Sequence, residues 1–170
     1  PNRLPAGADA GLGGRIRSAL AAIRDAAMTA ARTHALFFSS EAPCLRVVSA
    51  LAEGSDRIGA LLGLAEGFEL AAPLPFAAEI YEGDFATPES KAEFRRLLAN
   101  AASVLEFPGD RQEEAKAYER AGMAVLDASD LLIAVWDGKP SAGRGGTTEI
   151  IYEAARRGMP VLRINPAPGA

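Results

Sequence analysis

Apolar positions along the chain follow two patterns that take turns. Short, mostly apolar runs at residues 45–49, 69–74, 104–107, 131–136 and 160–164 predict strands, that of 131–136 buried. Between them, apolar residues recur at helical spacing. These are Ile16, Leu20, Ile23 and Ala27; Ile58, Leu61, Leu62 and Ala65; Phe94, Leu97, Leu98 and Ala101; Ala115, Tyr118, Gly122 and Val125; and Ile150, Ile151, Ala154 and Ala155. Thr87-Pro88-Glu89 is a helix start, with a capping hydroxyl, proline at the first position and an acid behind it. Asp110 and Glu113 have capping-box spacing, and Arg156-Arg157-Gly158 reads as a basic last turn followed by a C-cap. Residues 1–14, rich in proline, glycine and small side chains, read as a loop. Strands that are apolar throughout and alternate with helices predict an α/β fold: a doubly wound, mostly parallel sheet in three layers. Residues 11–165 form one domain in this reading, with residues 1–10 as an N-terminal loop.

Ligands of such sheets bind beyond the carboxyl ends of the strands. Three stretches reach that edge. The first runs from Asp137-Gly138 through Gly143, Gly145 and Gly146 to Thr147-Thr148-Glu149, a strand, glycine loop and helix start. Such a turn offers backbone N–H groups and a positive helix end to a phosphate, and the threonines add hydroxyl donors. Glu149 places a carboxylate there, better suited to a sugar hydroxyl or ring nitrogen than to phosphate. The bland alternative is a turn built only to connect strand to helix, with Glu149 favoured by the helix dipole. The second stretch, residues 50–56, holds Gly54 before Ser55 and Asp56. Gly54 permits a tight turn or close ligand approach, while Ser55 and Asp56 fit ordinary helix capping. The third, residues 75–85, carries Phe76, Tyr81 and Phe85 among acids, and is either a lid or a crossover anchored in the core.

Composition narrows the chemistry. At 170 residues the chain can bury a real core, and with 49% hydrophobic and 6% aromatic residues that core is aliphatic. A net charge of −4 and a pI near 5.1 argue against general nucleic-acid binding. No apolar run approaches membrane-spanning length and no signal-peptide pattern is present, so a cytoplasmic protein that enters no membrane is expected. The one cysteine, Cys44, excludes an internal disulfide and is expected to be a small buried thiol. The one histidine, His34, closes the first helix. One histidine without paired cysteines leaves zinc and Ser–His or Cys–His triads without support, so no metal or cofactor is expected.

Four stretches taken together resemble the SLOG superfamily of Rossmann-like domains. They are Val48-Ser-Ala-Leu-Ala-Glu-Gly-Ser-Asp-Arg57, Leu74-Pro-Phe76 with Tyr81 and Asp84-Phe85, Ser129-Asp-Leu-Leu-Ile-Ala-Val-Trp-Asp-Gly138, and Gly143-Arg-Gly-Gly-Thr-Thr-Glu149. That superfamily includes the Lonely Guy phosphoribohydrolases and the DNA-processing protein DprA; the chain is most similar to bacterial SLOG domains of unassigned activity. The resemblance implies a Rossmann-like fold whose first strand precedes Pro1, since Pro1-Asn-Arg-Leu resembles the segment just after the family's opening turn. It also implies that Gly145, Gly146 and Thr147 hold a phosphate. Glu149 stands two positions after Thr147 where the phosphoribohydrolases have three, and residues 138–144 replace their tight turn.

The expected function is binding of a nucleotide or nucleotide-derived molecule, a ribose phosphate or NAD-derived signal, by a sensor domain. Gly145, Gly146 and Thr147 would take the phosphate, and Gly54 and Ser55 would form a second polar wall. Asp137 and Glu149 would face ribose, Tyr81 or Phe76 would cover the base, and Gly138, Gly143 and Thr148 complete the expected ligand-binding set. One alternative is N-glycosidic cleavage of a nucleoside monophosphate with Glu149 as the catalytic carboxylate. Another is an interaction module with a vestigial pocket, in which the alanine-rich helix of residues 15–33 packs against a second copy.

Overall fold

The computed structural model describes residues 9–139 and 146–166. Its elements run α1 (Asp9–Thr33), β1 (Arg46–Val48), α2 (Ser55–Ala65), β2 (Glu69–Leu74), α3 (Ala78–Tyr81), a 3-10 turn (Glu82–Asp84) and α4 (Pro88–Ala99). Then come β3 (Ser103–Glu106), a second 3-10 turn (Arg111–Glu113), α5 (Glu114–Asp127), β4 (Leu132–Val135), α6 (Thr147–Arg156) and β5 (Val161–Ile164). The fold is mixed α/β, and every strand pairing is parallel.

Among the described residues the strands form two sheets rather than one: β1-β2-β3, and β4-β5. β2 is the centre of the first, pairing Val47 with Leu70 on one side and Ala72 with Val104 on the other. Pro73 lies in this central strand, where a missing N–H would normally break the ladder. Odd positions of β2 face β1, as the Glu69 N–H to Leu45 and Ser49 N–H to Ala71 bonds show. Pro73 therefore falls just past the last bond with β1 and leaves no ladder bond unmade.

Two apolar clusters hold the molecule together. One gathers Leu70, Ala72 and Leu74 of β2 with Ala60, Phe94, Leu97 and the ring set Phe76, Tyr81 and Phe85. The other gathers Leu12, Ile16 and Leu20 of α1 with Phe68 and Ile164. Ile133 and Val135 of β4 pack on this second cluster, as do Ile58 and Leu62 of α2. α1 thus lies across both sheets, beside α2.

Two expectations change and one alternative is decided. The first helix starts at Asp9, inside the stretch read as loop, because Leu12 sits one turn before Ile16, extends its stripe and is fully buried. Residues 75–85 are no lid: Phe76, Tyr81 and Phe85 are 0%, 2% and 4% exposed, and they anchor two short helical turns in the core. Cys44 is exposed, because the chain around it reaches β1 from outside the core. One helix start matches the expectation: Thr87 accepts a hydrogen bond from the Ser90 N–H with Pro88 at the first position. The capping box does not form: Asp110 accepts from the Gln112 N–H and opens a 3-10 turn, while the Glu113 carboxylate pairs with Lys116 and α5 begins only at Glu114.

Candidate functional site

The β1–α2 turn is built around a buried guanidinium. Gly54 has φ 96° and ψ −127°, a conformation open to glycine alone, and it directly precedes the first turn of α2. Leu51, fully buried, holds φ 59°. Such a conformation costs a non-glycine residue energy and needs surrounding support. That support comes from Arg57, 2% exposed. Its Nε donates to the Leu51 carbonyl at 3.0 Å and its Nη1 to the Ser90 carbonyl at 2.8 Å, while the guanidinium lies 4.1 Å from the centre of the Phe85 ring. The Ser49 hydroxyl donates to the Asp56 carbonyl and accepts from the Leu51 N–H.

Neither Ser55 nor Asp56 caps α2; the capping position is Gly54, and no side chain bonds there. Both residues instead line a cavity of about 810 Å³ between β1 and β4. Its floor is apolar: Ile16, Leu20 and Ile23 of α1, Val47, and Ile133 and Val135 of β4. Its mouth, at the carboxyl ends of the strands, is polar. There it is lined by Ser49, Ser55 and Asp56 from the first junction, Gly146 and Thr147 from the second, and Tyr81 and Tyr118. The starts of α2 and α6 therefore face one space, each with a first-turn hydroxyl that bonds to no other described residue.

Desolvation pushes the Asp56 carboxyl up to about 6, against the opposing pull of a backbone hydrogen bond at Ala52 and the charge of Arg57. A carboxyl so placed changes charge near neutrality, within reach of a ligand in the mouth. Desolvation likewise pushes the Tyr118 phenol up to about 12, aided by its hydrogen bond to Asp84, so it remains a donor. Tyr81 is raised well above its ordinary range, first by burial.

The remaining predicted residues separate into groups. Gly143 and Gly145 lie outside the described residues. Phe76 is fully buried, beneath the Arg111 guanidinium at 4.0 Å, and does not line the cavity; only Tyr81 of that pair reaches it. Asp137 turns back on its own loop, its Oδ1 accepting from the Lys139 N–H at 2.9 Å. Gly138, with φ 90°, provides the left-handed step of that turn. Thr148 is buried and donates to the Lys139 carbonyl, which also accepts from Trp136 Nε1. These residues shape the second junction from outside the cavity.

Glu149 lines a different, open cleft of about 520 Å³ with Glu119, Met123, Tyr152, Glu153 and Arg156. Two positions beyond Thr147 is 200° around a helix, so the two side chains leave α6 on opposite faces. In that cleft Glu153 is held down at about 2 by hydrogen bonds from Arg156 and Arg157, an ordinary surface ion cluster. The residues missed by sequence are Asp56 and Tyr118. The signal of Asp56, an acid two positions after a glycine turn, is shared with many capped helices, and Tyr118 reads as part of the apolar stripe of its helix.

Compared with known proteins, the chain matches no family model, and no curated protein matches it. The site is therefore read from its own geometry. Among the described residues no group of histidine, cysteine and acidic side chains could hold a metal ion, and no helix is long and apolar enough to cross a membrane.

Proposed function

We propose that this chain is a ligand-binding domain for a nucleotide or a nucleotide-derived ribose phosphate, taken at the cavity mouth between the starts of α2 and α6. The observation that carries the reading is convergence: two helix N-termini, distant in sequence, open with Ser55 and Thr147 onto one space beside the desolvated Asp56. Helix starts with available hydroxyls suit phosphate oxygens, and a carboxylate rejects phosphate but accepts from ribose hydroxyls. In this reading Gly54, Ser55, Gly146 and Thr147 hold the phosphate. Asp56 takes the sugar, the role first expected of Asp137 and Glu149, and Tyr81 and Tyr118 wall the base. The parallel strands with glycine junctions at their carboxyl ends support a doubly wound Rossmann-like fold of the SLOG kind.

A second reading, N-glycosidic cleavage, is favoured by one observation. A carboxyl titrating at about 6 can serve as general acid or base, and Asp56 rather than Glu149 is the group inside the cavity. A thermal-shift screen with nucleoside monophosphates, NAD, ADP-ribose and cyclic nucleotides at millimolar excess tests binding. A ligand at a hundred times its dissociation constant stabilises by about 2.7 kcal/mol, well within detection. Chromatography of the incubated hit separates sensor from enzyme: release of free base that stops with Asp56→Asn selects cleavage, and an unchanged ligand selects sensing. A screen in which no compound moves Tm contradicts both.

A further inference from the structure

β3 and β5 each end a sheet with one edge unpaired among the described residues. The Pro160 and Ile164 carbonyls of the β5 ladder accept from β4, so the backbone of Val161 and Arg163 faces outward. Arg163 thus sets a charged side chain in the middle of that edge. Charges on an edge strand are a common device against unwanted pairing. β3 lacks it. The Ala102 N–H donates to the Leu70 carbonyl and Val104 stands opposite Ala72, so the even positions serve β2. In a parallel ladder the intervening residues present their N–H and C=O to the other side. The backbone of Ser103 and Leu105 therefore points outward, and no described residue bonds to it. All four residues of β3 are exposed, and Val104 and Leu105, on opposite faces, are 44% and 53% exposed. The one charge, Glu106, is the last residue of the strand, and its carboxylate accepts from the Ala78 N–H. An apolar edge left open in this way is a template for another strand.

We infer that β3 pairs with itself: two copies of this chain join antiparallel, β3 against β3, about a two-fold axis through Val104, and make one sheet continuous across both molecules. The strand's own sequence selects the occupant and the register. Outward-facing residues must meet outward-facing residues, so only every second register is open. With Val104 opposite its counterpart, Ser103 and Leu105 of one copy exchange both backbone bonds with Leu105 and Ser103 of the other. The two exposed valines then meet in the close, non-hydrogen-bonded pair, and Glu106 faces Ala102. The next register toward the carboxyl end puts Glu106 opposite Val104, and the one after that puts Glu106 opposite its own counterpart, where like charges repel. The next register toward the amino end separates the valines and leaves Leu105 opposite Ala101. Pro108, with no N–H, stops the pairing beyond this stretch. The edge is therefore complementary to itself, as an isologous interface requires. A pairing over residues 102–106 buries less than the about 800 Å² per partner of a standard interface, so the dimer is weak and reversible. The inference goes beyond the ligand reading and does not depend on it.

Sedimentation equilibrium tests it without any ligand. From micromolar to millimolar concentration the mass should rise from 17.7 kDa toward twice that value and stop there. Over the same range the Ser103 and Leu105 amides should slow in hydrogen exchange by at least about tenfold, while those of Ala102 and Val104, already bonded to β2, should not change. Val104→Lys and Val104→Glu sharpen the test, because on the axis each copy meets its own substitution. Either variant alone should keep the parent's Tm and stay at the mass of one chain, and an equimolar mixture of the two should dimerise. Four results would overturn the inference: a parent that stays at the mass of one chain up to millimolar concentration, a mass that climbs past two chains, a Val104→Lys variant that dimerises like the parent, or a mixture of two folded variants that does not associate. Dimerisation that leaves the Ser103 and Leu105 amides unprotected would place the contact elsewhere and reject the edge.

Discussion

The two glycine junctions look alike in sequence and are built differently. Each leaves a strand, passes through a glycine with positive φ and enters a helix that opens on the cavity. The first is locked from below: Arg57 sits under it, bonded to the Leu51 and Ser90 carbonyls and stacked on Phe85. Among its described residues the second is fastened from the side: the Lys139 carbonyl takes donors from both Trp136 and Thr148, and Arg163 donates to the Trp136 carbonyl. The lesson is that glycine marks where a backbone can turn, while the partner of the turn decides how stiff it is. A ligand would meet one wall held by a buried guanidinium and one held, among the described residues, by more exposed bonds.

Breaking the locked junction should have the largest effect. Arg57→Ala strands the buried Leu51 carbonyl, removes the bond to Ser90 and empties the space over Phe85, so a loss of about 3 kcal/mol in urea unfolding is expected. A loss below about 1 kcal/mol would show that the guanidinium does not support the strained turn. Next comes Gly54→Ala, which forces a side chain into a glycine-only conformation; it should cost about 1–3 kcal/mol by the same measurement. The fastened junction should respond less. Thr148→Val keeps the shape, removes one donor to Lys139 and should cost about 1 kcal/mol. If it costs as much as Arg57→Ala, the contrast between the junctions is wrong.

A pH-dependent effect sharpens the comparison from another side. Asp56 has a folded-state value of about 6, above its ordinary 3.8, so burial penalises its ionised form. Its stability contribution is fully present below the ordinary value and is lost as pH rises through about 6. Asp56→Asn should therefore unfold at a higher temperature than the parent at about pH 7.5, and the gain should vanish toward about pH 3.5. A gain independent of pH would mean that the carboxyl is not desolvated.

Much of this fold was legible because each local signal had one physical reading. Thr87-Pro88 reads as a helix start, and the short apolar runs at 69–74 and 131–136, bounded by turn residues, read as strands. The start of α1 was hidden by Gly11, Gly13 and Gly14, poor helix formers that the burial of Leu12 overrides. Aromatics in a loop do not declare whether they face a ligand or the core, and Phe76 proved to be core. A capping acid and a desolvated acid are the same letter, which is why Asp56 is hidden in the sequence while Glu149 stands out. Strand pairing, and with it the cavity between β1 and β4, is set by contacts far apart in sequence and leaves no local trace.

Isothermal titration calorimetry of AMP and ADP-ribose, on the parent chain and on a Ser55→Ala, Thr147→Ala double variant, reaches the central claim most directly. The account predicts saturable one-to-one binding of at least one of these by the parent, weakened by about tenfold or more in the double variant, which loses a hydroxyl donor from each helix start. Binding of equal strength in parent and variant, or heat from neither compound at millimolar concentration, would contradict it.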